Sequence, residues 1–180
     1  STLQEFFAFM VSYEAKATRG IPTSFNIELK VPKGASAEEV EKTAEVAVRV
    51  IQEADVEKRS IVQSFYTSIL PKIKALSPSI TTAALYRPNA AQKIQLILER
   101  DANSREILEK SLQLGVDIIA PHYLYVTREF VREAHKKKLK VIPWTVNDPT
   151  VMQVLFEAGV DGVISDYPDR LIKAYRAYKR

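Results

Sequence analysis

LGVDIIAPHY, Leu114 to Tyr123, returns 44 residues later as AGVDGVISDY, Ala158 to Tyr167. In both copies a glycine suited to end a helix is followed by valine, aspartate and a run of strand-forming residues that closes on polar and aromatic side chains. Such a unit, recurring after two strand-helix steps, is how stacked βα units repeat. The same alternation extends in both directions. Short apolar runs at 25–31, 60–66, 80–86, 116–123, 140–146 and 161–167 are separated by longer segments whose apolar residues recur every three or four positions. Ser36 with Glu39 forms a capping box for a helix reaching about Ala54. Asn147, Asp148 and Pro149 supply a cap and a first-turn proline for the next-to-last helix, and Pro168 does so for the last.

Strands alternating with helices imply a parallel sheet, either a doubly wound open sheet or a (βα)8 barrel. Two features select the barrel. The chain has only 5 glycines and neither a GxGxxG nor a Walker loop, which nucleotide-binding open sheets often carry. Polar residues also recur where strands end: Lys30, Gln63 and Ser64, His122, Trp144 to Asn147, and Ser165 with Asp166. In a barrel those ends converge on the mouth that holds the active site. Closure around a filled core takes about eight strands, whereas six runs are present and the chain opens on a helical segment, STLQEFFAFMVSYEAK. The expectation is a TIM-type (βα)8 barrel that is incomplete. Residues 1–180 form one domain, six βα units preceded by a helix, equal to the C-terminal three-quarters of such a barrel. Its two open edges invite association with another chain.

Composition narrows the function. At 180 residues the chain is long enough for one substantial core. It lacks cysteine, which excludes disulfides, thiolate metal sites and a cysteine nucleophile, and fits a cytoplasmic location. No apolar run approaches the roughly 20 residues of a membrane helix, and no signal-peptide pattern is expected. The net charge of +4 comes from basic residues spread along the chain. The one local run, His135 to Lys138 with Lys140, falls at a helix end, where cations suit the dipole. Nucleic acid is therefore not an expected partner, and the charge leaves room for an anionic substrate.

The strand NIELK, Asn26 to Lys30, sets Asn26, Glu28 and Lys30 on the face opposite Phe25, Ile27, Leu29 and Val31. A hard divalent cation seeks carboxylate oxygens and a phosphodiester seeks a cation for its non-bridging oxygens, so Glu28 and Lys30 together suit a metal and a phosphate. The alternative is a polar face in water. Asn26, deeper along the same face, suits a hydrogen-bonding support. Trp144, the one tryptophan, serves either as core or as a pocket wall. His122 lacks an obvious partner and is read as a rim or substrate contact rather than an acid or base. Ser64 has no base beside it and is read as a supporting residue. Asp161 suits turn and cap chemistry, and Asp166 lies where a strand end meets the mouth.

Taken together and in order, NIELK, VQSF (62–65), WTVN (144–147) and GVDGVISDYP (159–168), with STLQEFFAF similar to a helix that precedes NIELK, resemble the C-terminal part of the glycerophosphodiester phosphodiesterase family. That resemblance implies a (βα)8 barrel of lipid metabolism that hydrolyses glycerophosphodiesters to glycerol 3-phosphate and an alcohol, with a divalent metal, Mg2+ or Ca2+, and acid/base histidines. It implies that Glu28 is a metal ligand, that Lys30 contacts the phosphate and that Trp144 lines the substrate pocket. The family's HRG and HD motifs, with two further acidic ligands, are not in this sequence, so these 180 residues alone are expected to be inactive. The alternatives are a lysophospholipase D-like or sphingomyelinase-like phosphodiesterase acting on longer lipids, or a non-catalytic barrel fragment that pairs with another chain.

Overall fold

The computed structural model describes residues 2–16, 23–98 and 104–179. The protein is α/β, with a five-stranded parallel sheet in the order β1-β2-β3-β4-β5. Its strands are β1 Phe25–Glu28, β2 Ser60–Ser64, β3 Thr81–Tyr86, β4 Ile118–Pro121 and β5 Lys140–Val141. Contacts group the chain into two compact units, residues 1–82 and 83–180.

In the first unit, α1 (Leu3–Lys16) precedes β1, and α2 (Ala37–Glu53) and α3 (Leu70–Leu76) flank β2 in sequence. The capping box of α2 is formed: the Ser36 hydroxyl accepts from the Glu39 N–H and the Glu39 carboxylate accepts from the Ser36 N–H at 2.7 Å. Two otherwise orphan donors are thereby satisfied. Val40, Ala44, Ala47, Val48 and Ile51, spaced at three and four, form the buried stripe of α2. On α1, Phe7 is buried edge-on to Phe25, 5.0 Å between ring centres. The Arg59 guanidinium covers Phe25 at 4.9 Å and grips Glu14 at 2.7 Å. β1 and β2 run in register from Phe25↔Ser60 to Glu28↔Gln63.

The second unit holds α4 (Ala90–Leu98), α5 (Ser104–Leu114), α6 (Arg128–Lys136), α7 (Pro149–Ala158) and α8 (Pro168–Tyr178). Every residue of β4 is buried, as the apolar IIAP requires. Gly115 and Gly159 end α5 and α7 at φ of +62° and +89°, the left-handed stops expected of them. Asp148 caps α7 by accepting from the Thr150 N–H, and Pro149 and Pro168 open their helices. α7 presents Met152, Leu155 and Phe156 to Leu171 and Ala174 of α8. The Phe156 ring meets Tyr175 and Tyr178, each at 5.5 Å.

The sixth run, 161–167, lies beside β5 as expected, but it is not a regular strand. The Asp161 N–H reaches Val141 O and the Ile164 N–H reaches Pro143 O, both at 2.9 Å, while the Val146 N–H returns to Ile164 O. Two residues on one side therefore face three on the other, the signature of a bulge. Pro143 has no N–H to donate into this seam. The Val141 N–H is instead accepted by the Asp161 carboxylate at 2.8 Å. On its other side β5 continues past its regular part, through Ile142 N–H to Ile119 O and an isolated bridge pairing His122 with Trp144.

Candidate functional site

The polar residues of NIELK alternate as the sequence requires. Asn26, Glu28 and Lys30 are exposed, whereas Phe25 is buried and Ile27 and Leu29 are half-buried. No hydrogen bond or ion pair among the described residues engages the side chains of Asn26, Glu28 or Lys30. Among the described residues the supporting role expected of Asn26 thus has no partner, and Lys30 forms no ion pair there, which leaves its ammonium suited to an anion. The backbone that carries them is fixed from β2. The Leu29 N–H donates to Gln63 O at 2.8 Å, and the buried Ser64 hydroxyl donates to Leu29 O at 2.7 Å. Ser64 also accepts from the Tyr66 N–H at 3.0 Å, so its hydroxyl is committed to the backbone.

In the second unit the ends of β4 and β5 bring His122 and Trp144 together. Their rings meet edge to face at 5.5 Å, and His122 stacks on Tyr123 at 4.6 Å. The indole Nε1–H of Trp144 donates to Ala120 O at 2.7 Å, which sets the plane of the ring. His122 Nδ1 faces the Leu124 N–H at 3.4 Å as an acceptor, leaving Nε2 to carry the proton of the neutral ring. Burial lowers the pKa of His122 below its usual value, and the nearby Lys93 charge adds to this. The arrangement offers a neutral donor beside an aromatic wall. Tyr123 was not singled out by the sequence pattern, although it completes this aromatic group.

A second polar cluster joins the last two strand ends. Asn147 donates from Nδ2 to Asp166 Oδ2 at 2.8 Å, and its Oδ1 accepts from the Asp166 N–H at 3.0 Å and from the Ser165 hydroxyl at 3.2 Å. Asn147 is thus not the cap of α7; Asp148 is. The clue available in the sequence was the recurrence of polar residues at successive strand ends. Asp161 likewise does more than turn the chain, since its Oδ2 lies 2.8 Å from His135 Nε2 as well as accepting from Val141.

Among the described residues no group of three or more His, Asp or Glu stands close enough to hold a metal ion. Mg2+ and Ca2+ take about six or more oxygen ligands. Glu28 supplies one carboxylate, so the residues described do not by themselves make a divalent cation site. Nor is any described helix long and apolar enough to cross a membrane.

A Caldanaerobacter subterraneus glycerophosphodiester phosphodiesterase is 29% identical over 132 residues, covering 73% of this chain and 49% of the relative. The chain thus spans about half the length of the curated relatives it matches. Among solved structures, a Silicibacter pomeroyi protein carrying the same family name superposes with a TM-score of 0.82 at 22% identity, covering 98% of this chain and 56% of the other. An Oleispira antarctica phosphodiesterase in complex with the product sn-glycerol-3-phosphate superposes at 0.71 with 24% identity, covering 97% and 61%. The sequence profile of the glycerophosphoryl diester phosphodiesterase family matches residues 1–170, and the chain belongs to that family.

Proposed function

We propose that these residues form the C-terminal three-quarters of a (βα)8 barrel that hydrolyses glycerophosphodiesters to glycerol 3-phosphate and an alcohol. The observation that carries the reading is the family match over residues 1–170, with Glu28 at the end of β1 and Lys30 two residues beyond it, both exposed. The product held by the Oleispira relative is the product expected here. Lys30 neutralises a non-bridging phosphate oxygen as negative charge develops in the transition state. Within the second unit, Trp144 serves as a pocket wall and the neighbouring His122 as a substrate contact through Nε2. Glu28 would supply one carboxylate to a divalent cation, Mg2+ or Ca2+, which would polarise the phosphate; the family's other ligands and its proton-transferring HRG and HD residues are not among residues 1–180.

The test is glycerol 3-phosphate release from glycerophosphocholine by protein that carries the whole barrel. Lys30→Met is expected to lower kcat/KM by about 10²–10³-fold, the usual effect of losing one preorganised group that stabilises transition-state charge, without changing the circular dichroism spectrum. Near wild-type turnover by that variant sinks the assignment. Hydrolysis at an enzymatic rate by the isolated 180-residue polypeptide refutes the placement of the proton-transfer groups elsewhere.

A further inference from the structure

The positive charge of the chain is less evenly distributed than a count of basic residues suggests. Residues 167–180 hold five of the 26 Lys and Arg but one of the 22 Asp and Glu, leaving the other 166 residues with 21 of each sign. The whole excess of +4 therefore rides on α8 and the residues beside it. One face of α8 is taken up by α7, through Leu171 and Ala174. Tyr175 and Tyr178 also rest on Phe156 of α7 yet stay 47% and 42% exposed, and Ile172, 51% exposed, faces outward.

Ile172, Arg176 and Lys179 follow one another at four and three residues and so share a face, with Lys173 beside them. Arg170, Lys173, Arg176 and Lys179 are all exposed, and among the described residues none of them forms an ion pair. Two instead lean on aromatic rings: Arg170 over Tyr167 at 4.0 Å, and Lys179 over Tyr175 at 5.7 Å. A solvent-facing helix is ordinarily stabilised by opposite charges at i,i+4. Here Asp169, four residues before Lys173, is the one acid, while Arg170, Lys173, Arg176 and Lys179 follow one another at three-residue spacing beside the exposed Ile172, so the surface is net positive.

We propose that α8 seats the protein on an anionic phospholipid bilayer, lying in the headgroup layer without crossing it. Cationic side chains that extend to phosphates while tyrosines and an isoleucine enter the interface are the pattern of an interfacial helix. Charge complementarity selects an anionic surface, and the exposed Ile172 beside Lys173 and Arg176 favours a bilayer over a nucleic acid backbone. The vesicle test reads binding and not hydrolysis, so it can fail or hold without the catalytic reading.

The experiment is sedimentation of the full chain with vesicles of phosphatidylcholine, with and without phosphatidylglycerol. Binding is expected only with phosphatidylglycerol and should weaken as salt rises. The double variant Lys173→Glu/Arg176→Glu should reduce partitioning by at least about tenfold, and Ile172→Ser should weaken it while leaving the salt dependence unchanged. Because all three residues are exposed, circular dichroism should be that of the wild type. Absence of wild-type binding at low salt overturns the proposal, as does equal binding to phosphatidylcholine alone or undiminished binding by the double variant. So does retention by duplex DNA or RNA in place of vesicles.

Discussion

Replacing Ser64 with alanine removes a buried hydroxyl that serves two backbone groups. It donates to Leu29 O at 2.7 Å and accepts from the Tyr66 N–H at 3.0 Å. A neutral hydrogen bond contributes about 1 kcal/mol net, and a buried group left without its partner costs about 1–3 kcal/mol. Ser64→Ala should therefore cost about 2–3 kcal/mol. Ser60 provides an internal standard: it is equally buried, but its hydroxyl makes a single bond, to Val56 O at 2.8 Å. Ser60→Ala should cost about 1 kcal/mol. Urea unfolding followed by far-UV circular dichroism measures both, with the denaturant slope unchanged if only the native contacts differ. In a chain of this size each kcal/mol also lowers Tm by about 2–4 °C. If Ser64→Ala costs no more than Ser60→Ala, the reasoning fails. A nucleophilic Ser64 would give the reverse outcome, with stability kept and turnover abolished.

Two further outcomes are expected. Gly159→Ala keeps open space around the new methyl, whose closest neighbour would be Val131 Cγ1 at 3.9 Å, yet the φ of +89° disfavours any L residue. It should lose about 1–2 kcal/mol in the same unfolding assay, and an unchanged midpoint would contradict the left-handed stop. His122, held by burial below its usual pKa of 6.5, stays neutral in the folded state while the unfolded chain takes up the proton. Its contribution is thus complete above that value and is lost as pH falls through the folded pKa. His122→Gln should flatten the decline in urea midpoint as pH falls below the usual value of 6.5; an unaltered decline would place its origin elsewhere.

What the sequence disclosed was whatever depends on local chemistry. Ser36 with Glu39, Pro149, Pro168, Gly115 and Gly159 each mark a boundary because the cap or backbone they require is set within a few residues. Two other helix ends gave no such sign, since Asp55 after α2 and Lys138 after α6 take positive φ, at 54° and 61°, without being glycine. The alternation of NIELK was legible, as was the supporting nature of Ser64. The partners were not: the carboxylate of Asp161 reaching both Val141 and His135 joins residues 20 and 26 positions away. Strand-end convergence of His122 on Trp144 depends on register, which is set by pairing across the sheet. The irregularity of 161–167 was foreshadowed by Pro143, whose missing donor falls on the side of β5 that this run borders.

In a pleated strand Ser165 and Asp166 would point to opposite faces and could not meet the same side chain. The bulge that precedes them frees this segment from the pleat, and both bond to one carboxamide, that of Asn147. An asparagine in this position is a connector with a donor end and an acceptor end of fixed length. Aspartate would lose the donor and place a second negative charge against Asp166, whereas glutamine would overreach by a methylene. A defect in sheet regularity is thus what makes the chemical identity of a neighbouring loop residue exacting.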